Sequence, residues 1–121
     1  MPLIRVDLDR ALFDSKHDEL SREIHQAQID ALDIPADDKF QTFHPHDANE
    51  ITFDPTYGGV DRRSLVIIQI LMVRRYTVEI KRALYRALIT RLEAIGVRRE
   101  DVQIGIVENY YEDWFAGTLA D

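Results

Sequence analysis

The second residue of the chain, Pro2, is the first candidate for chemistry. Initiator methionine is normally trimmed when the next residue is small, and proline qualifies. Trimming would leave a secondary amine at the head of a predicted strand. An α-amino group has a reference pKa of about 7.7–8.0, so small changes in its surroundings decide its charge. Such an amine acts as a general base when neutral and as a general acid when protonated, although proline also occurs at strand starts for structural reasons alone.

Two charged residues could complete such a site. Arg74 ends an apolar run, and its forked guanidinium is a permanent cation that fits a carboxylate. Asp38 could accept a proton, orient a water molecule or hold Pro2 in its charged form. Each residue also has a plain structural interpretation, because Arg74 could form a surface ion pair and Asp38 could be a turn residue beside Asp37.

Two aromatic residues are further candidates. Tyr76 could donate a hydrogen bond to a substrate, or it could simply pack at the start of the following helix. Trp114 could form the wall of a pocket, although a lone tryptophan is more often part of a core or an interface. The role of each aromatic residue, in a pocket or in packing, therefore depends on the residues that surround it in the fold.

Two further motifs do not predict a site. The histidines and aspartate at His44, His46 and Asp47 resemble a metal-ligand cluster, but a fourth ligand at suitable spacing is missing. The pair Gly58-Gly59 does not lie between a strand and a helix, so it is not a phosphate-binding loop. We expect neither a metal nor an organic cofactor.

The composition restricts the class of protein. The 121 residues fit one compact domain, and the chain has no cysteine, which suits a reducing cytosol. No run approaches the roughly 18 apolar residues of a membrane span, and the N-terminus lacks the apolar core of a signal peptide. A net charge of −7 argues against general nucleic-acid binding but leaves room for a local basic pocket. We expect a cytoplasmic protein that binds neither membranes nor nucleic acids.

The first half of the chain predicts a strand, a helix and a second strand. The strand covers residues 2–8, and the helix covers 16–32, with helix-start signals at Asp14 and Ser15. The second strand covers residues 41–44.

The second half repeats this order. An apolar strand at 64–73 precedes a helix that Thr77 caps and Gly96 ends, and a strand at 103–108 follows. One apolar stripe marks the helix and consists of Ile80, Leu84, Leu88, Leu92 and Ile95.

Constant spacing between the halves indicates a duplicated βαβ unit. Pro2 and Ser64 lie 62 residues apart, and so do Ser15 and Thr77. Two such units predict an α+β fold, a four-stranded mixed sheet with two helices on one face. The other face would stay apolar and uncovered, which predicts a homo-oligomer.

The whole chain, 1–121, is expected to be one domain. Residues 51–53 are expected to form a short strand within the segment that joins the two units. The predicted parts are a first βαβ unit at 2–43, a connecting hairpin at 44–63, a second βαβ unit at 64–109 and a C-terminal tail at 110–121.

Taken in order along the chain, these residues resemble the tautomerase superfamily. The resemblance is carried by Pro2-Leu3-Ile4, the residues PADD-K-F-Q around Asp38, Arg74, and the pairs Glu108-Asn109 and Asp113-Trp114. Within the superfamily the chain is most similar to the malonate semialdehyde decarboxylase branch. The resemblance implies two βαβ units, a trimer, and an N-terminal proline in a pocket where arginines hold a substrate carboxylate.

The resemblance also implies roles for single residues. The aspartate that lies close to the proline in the decarboxylase branch matches Asp38, and the first of the two arginines matches Arg74. The second arginine falls on Tyr76, with Arg75 one residue earlier.

Toward the C-terminus the resemblance continues with one departure. The tryptophan of the decarboxylase branch matches Trp114, whereas the next aromatic falls on Ala116, with Phe115 beside it. The expected substrate-binding set is Arg74, Arg75, Tyr76, Trp114 and Phe115, and the expected catalytic set is Pro2, Asp38 and Arg74.

The expected function is proton transfer by Pro2 on a small oxo acid or unsaturated acid, without a cofactor. Two reactions remain open. Keto–enol tautomerisation, of phenylpyruvate type, needs a neutral Pro2, whereas decarboxylation of a 3-oxo acid, or hydration, needs a protonated Pro2 that polarises a carbonyl. A third alternative is a trimer that keeps the fold as a non-catalytic binding module.

Overall fold

The structure, a computed structural model, describes residues 2–118. Within that range the strands follow the order β2-β1-β3-β4 in one sheet. The pairs β1–β2 and β3–β4 are parallel, and β1–β3 is antiparallel. The elements are β1 (Leu3–Asp9), α1 (Arg10–Leu32), β2 (Gln41–His46), β3 (Val66–Val73), α2 (Val78–Ala94) and β4 (Val102–Asn109).

This architecture confirms the predicted fold of two βαβ units, a four-stranded mixed sheet and two helices on one face. Met1, whose removal is predicted above, and residues 119–121 of the tail lie outside the described residues. None of the helices within 2–118 combines the length and the apolar character needed to cross a bilayer.

The core lies between the sheet and the helices. Alternate residues of each strand point to the same face, so Ile4, Val6 and Leu8 of β1 all point towards the helices and are buried. The apolar stripe predicted on α2 packs against them, and its fully buried members are Leu84, Leu88 and Leu92. Burying a side chain of this size stabilises the fold by about 1.5–3 kcal/mol.

The predicted start of α1 was wrong by six residues. The helix begins at Arg10, directly after β1, and not at residue 16. Leu12 and Phe13 pack against the core, and this burial favours an early start over the polar signals that follow. The hydroxyl of Ser15 donates to the Leu12 carbonyl inside the helix, so Ser15 is not a cap.

Both predicted ends of α2 are confirmed. The Thr77 hydroxyl oxygen accepts the Ile80 N–H at 3.2 Å, so Thr77 is the N-cap. The helix ends at Ala94, and Gly96 adopts a φ of +92°, a conformation that residues other than glycine rarely adopt.

The register of the central strand pair coincides with the 62-residue spacing. Val6 lies opposite Ile68, and 68 − 6 = 62. A shift by 62 residues therefore maps Val6 onto Ile68, as expected if a two-fold axis that relates the two units passes between these residues. Only the helix-start role expected for Ser15 was wrong, because Thr77 caps its helix whereas Ser15 lies inside the first one.

The connecting segment is not a hairpin. β2 continues to His46, and residues 47–65 contain one short 3₁₀ turn, Tyr57–Gly59, but no strand, so the strand expected at 51–53 is absent. Local side-chain bonds satisfy the backbone here instead of a strand ladder. The Asp54 carboxylate, for example, accepts the Thr56 N–H at 2.9 Å.

The second face of the sheet is uncovered in the single chain, as predicted, but it is not uniformly apolar. Polar residues lie on β1 itself, where the Asp7 carboxylate accepts from Arg5 at 3.0 Å and bonds His46 at 2.7 Å. An apolar groove of roughly 500 Å³ lies at one end of this face. Its apolar walls include Leu3, Phe40, Leu71 and Val107.

Candidate active site

The strand directions bring the predicted site residues to one end of the sheet, called the Pro2 end from here on. β1 and β2 begin at this end, and β3 and β4 finish there, because the two parallel pairs run in opposite directions. Pro2 directly precedes β1, and Arg74 directly follows β3. Asp38 lies shortly before β2, and Asn109 is the last residue of β4.

Pro2 lies beside the segment that carries Asp38. Pro2 is buried, and two residues later the Ile4 N–H donates to the Phe40 carbonyl at 3.0 Å. Asp38 is half-buried, and its own N–H donates to the Pro35 carbonyl at 3.1 Å. The turn that carries Asp38 is therefore held by an internal hydrogen bond, and the residues after it are bonded to the start of β1.

Helix α1 holds the same turn from behind. The buried ring of His25 bonds the Ala36 carbonyl at 2.7 Å through Nε2. Its Nδ1 is buried and has no hydrogen-bond partner among the described residues. Since a carbonyl oxygen can only accept, the Nε2 atom donates the proton of this hydrogen bond. Sequence inspection missed His25, and the only signal was a histidine on the apolar face of the helix.

The three residues after β3 divide between solvent and core. The Arg74 N–H donates to the Asn109 carbonyl at 2.8 Å, and its side chain is exposed. The Arg75 guanidinium lies over the Tyr76 ring at 5.1 Å from the ring centre, and Tyr76 packs against the core. Arg75 is thus engaged with Tyr76, although both Arg74 and Arg75 are exposed.

Tyr76 remains a neutral donor at ordinary pH. Burial raises the pKa of the Tyr76 phenol, and the neighbouring Tyr111 and Asp38 raise it further, against the opposing charge of Arg75. A neutral phenol can donate a hydrogen bond to a carboxylate.

Trp114 returns to the end of β4. Its indole N–H donates to the side-chain oxygen of Asn109 at 2.8 Å, and the ring is half-buried. Phe115 is 66% exposed and so provides no buried wall within a single chain. Ala116 is also exposed.

A charged pair at the same end was not found from the sequence. Lys81 and Glu108 form an ion pair at 2.9 Å, and their side chains are only 22% and 23% exposed. The Glu108 Oε2 atom is buried without a hydrogen-bond partner in the described part of the chain. Nothing in the spacing of these two residues links them, since β4 and the first turns of α2 meet only in the folded chain.

The histidine segment forms separate contacts. His44 bonds the Thr42 hydroxyl at 3.2 Å, and His46 bonds Asp7 at 2.7 Å. Asp47 accepts from Arg10 at 2.7 Å. Within residues 2–118 no cluster of three or more His, Asp or Glu side chains is arranged to hold a metal ion.

Comparison with known proteins identifies the family of the chain. The tautomerase enzyme family model matches residues 38–117. The chain is 36% identical over 119 residues to the probable tautomerase YusQ of Bacillus subtilis (strain 168), covering 97% of this chain and 94% of that protein. The chain therefore belongs to the tautomerase family and is a tautomerase-superfamily enzyme.

Solved structures place the chain within the superfamily. FG41 malonate semialdehyde decarboxylase, inhibited by 3-bromopropiolate, superposes with a TM-score of 0.90 at 34% identity, covering 98% of this chain and 91% of that one. The predicted resemblance to the malonate semialdehyde decarboxylase branch is confirmed. A fused 4-OT symmetric trimer shares the fold, with a TM-score of 0.79 at 17% identity over 95% of this chain and 91% of that one.

Proposed function

We propose that this enzyme uses the amine of Pro2, freed by removal of Met1, to move a proton on a small oxo acid or unsaturated acid without a cofactor. The observation that carries the proposal is the meeting of Pro2, Asp38, Arg74 and Tyr76 at one end of the sheet. An amine, a carboxylate, a cation and a neutral donor suffice for proton transfer on a bound carboxylate.

Arg74 binds the substrate carboxylate in this proposal. Its guanidinium is exposed at the Pro2 end, and its backbone is fixed to Asn109. Tyr76 takes the place of a second arginine and donates a hydrogen bond from its neutral phenol. Arg75 supports Tyr76 from the face of the ring and adds positive charge nearby.

The protonation state of Pro2 decides which reaction runs. The carboxylate of Asp38 raises the pKa of the Pro2 amine, whereas Arg74 and burial lower it. In decarboxylation a protonated Pro2 donates a hydrogen bond to the carbonyl oxygen of a 3-oxo acid. The bond to the carboxylate carbon then breaks, its electron pair forms the enolate and carbon dioxide leaves. The enolate then takes a proton from Pro2 at carbon, and water returns a proton to Pro2. Asp38 beside Pro2 favours this reaction, and so does the similarity to FG41 malonate semialdehyde decarboxylase.

Keto–enol tautomerisation is the second candidate. Tyr76 stands where the decarboxylase branch has an arginine, and the curated relative YusQ is described as a probable tautomerase. In that reaction a neutral Pro2 removes a proton from carbon and returns it elsewhere on the substrate. Both reactions use the same carboxylate-binding residues.

We further propose that the protein is a cytoplasmic homotrimer. The helices cover one face of the sheet, and the other face carries an apolar groove that a second copy could fill. The fused 4-OT structure is a trimer with this fold. A neighbouring subunit would also give the exposed Phe115 a surface to pack on, and so complete the pocket wall beside Trp114.

Titration of the Pro2 amine, followed by ¹⁵N NMR, tests the proposal. Intact mass should first show that Met1 is absent. Turnover of a 3-oxo acid and of phenylpyruvate is then measured across the pH range of the titration. The decarboxylase rate should fall as Pro2 loses its proton, and the tautomerase rate should rise. Retention of Met1 in an active preparation would refute the mechanism, and retention in an inactive one would favour a non-catalytic binding module.

A further inference from the structure

Asn109 makes two contacts that no other described residue at the Pro2 end combines. Its backbone carbonyl accepts the Arg74 N–H at 2.8 Å, and its side-chain oxygen accepts the Trp114 indole N–H at 2.8 Å. We propose that Asn109 is a positioning residue that fixes Trp114 relative to Arg74 and thereby sets the width of the carboxylate pocket. This inference rests on the proposed function, since it assigns Arg74 to the substrate carboxylate.

The chain between the two partners is held by its own hydrogen bonds. The Tyr110 N–H donates to the Asp113 carboxylate at 2.9 Å, and the Asp113 N–H donates back to the Tyr110 carbonyl at 3.0 Å. This turn returns Trp114 to the strand that it has just left. The turn sets the place of the Trp114 backbone, and Asn109 then sets the direction of the ring.

One hydrogen bond can decide the ring direction because the indole has a single donor. Tryptophan has no second polar atom, so the Asn109 oxygen is the fixed point about which the ring is held. The half-buried ring makes further apolar contact, which orients its face but not its polar edge. Without the Asn109 oxygen the indole N–H would turn towards solvent, and the Trp114 ring, which forms the wall of the proposed pocket, would move away from Arg74.

The intrinsic fluorescence of the protein tests this directly, because Trp114 is the single tryptophan in the sequence. Asn109→Ala should shift the emission to longer wavelength and increase quenching by acrylamide. Asn109→Asp keeps an acceptor oxygen at the same position and should restore the spectrum of the unmodified protein. Gln103→Ala, which removes an exposed amide from the same strand, is the matched control and should leave the spectrum unchanged.

Kinetics tests the effect on the pocket. A hydrogen bond of this kind is worth about three- to tenfold in an equilibrium constant, so Asn109→Ala should raise KM by that factor and change kcat less. Trp114→Phe keeps an aromatic ring without the donor and should raise KM similarly. The double variant should show no further increase, because both changes remove one interaction.

The possible outcomes separate the two proposals. An unchanged spectrum for Asn109→Ala, in a variant that circular dichroism shows to be folded, would overturn the positioning role. Additive effects of Asn109→Ala and Trp114→Phe on KM would also overturn it. Absence of turnover in the unmodified protein would instead refute the proposed function, while the fluorescence would still decide the role of Asn109.

Discussion

Replacing Tyr76 by phenylalanine tests the proposal that Tyr76 binds the substrate carboxylate in place of the second arginine that the resemblance to the decarboxylase branch implies. The change removes the hydroxyl and keeps the ring, so the Arg75 guanidinium retains its position 5.1 Å from the ring centre. A tyrosine phenol is already neutral at ordinary pH, and burial raises the pKa of Tyr76 further, so the variant loses a donor and no charge. A hydrogen bond to a charged carboxylate contributes about 1.5–3 kcal/mol, which corresponds to roughly ten- to a hundredfold in kcat/KM.

The assay is kcat/KM for a 3-oxo acid and for phenylpyruvate, with stability followed by chemical denaturation. Tyr57→Phe is the matched control, since Tyr57 is 67% exposed and lies in the connecting segment. Tyr76→Arg restores the arginine of the decarboxylase branch and should favour the 3-oxo acid over phenylpyruvate. If Tyr76→Phe keeps kcat/KM within twofold for both substrates, Tyr76 does not bind the carboxylate and only packs beside Arg75.

Three further predictions concern Asp38, Thr77 and Asp7. Asp38→Asn should lower the pKa of the Pro2 amine, which NMR would show, and should reduce decarboxylation more than tautomerisation; an unchanged titration would leave Asp38 as a turn residue. Thr77→Ala should lower the free energy of unfolding by about 1 kcal/mol through loss of the α2 cap, with the exposed Thr90→Ala as a control that costs nothing. Burial alone would raise the pKa of Asp7, but hydrogen bonds from Arg5 and His46 hold it below its usual value. The contribution of that carboxylate to the free energy of unfolding should therefore be present above about pH 4 and be lost as the pH falls further. In Asp7→Asn, the free energy of unfolding measured by chemical denaturation should depend less on pH in this acidic range.

Much of the fold could be predicted because local signals and burial agree in the second half of the chain. The stripe of Leu84, Leu88 and Leu92 and the cap at Thr77 mark the same helix in the sequence and in the structure. In the first half they disagree. Asp9 is both the last residue of β1 and the residue that directly precedes α1, so no loop separates the two elements. Polar signals further along the chain point to a later start.

The site could be predicted only as far as strand ends reveal it. Pro2, Asp38 and Arg74 each lie at or shortly before or after a strand end, so the topology of two βαβ units places them at the same end of the sheet. The residues that hold them were not visible, because their bonds join distant parts of the chain. His25 bonds Ala36 across eleven positions, and Lys81 meets Glu108 across two elements.

The two-fold relation between the units has a consequence for the number of reactive groups. It maps Pro2 onto Ser64, at the opposite end of the sheet, where the Ser64 hydroxyl donates to Asp9. The nitrogen of Ser64 is part of a peptide bond, so it has no basicity, whatever surrounds it. If Pro2 carries the reactive amine as proposed, joining two units in one polypeptide leaves one such amine for every two units. A reagent selective for that amine should then label the proposed trimer at three positions, and never at six.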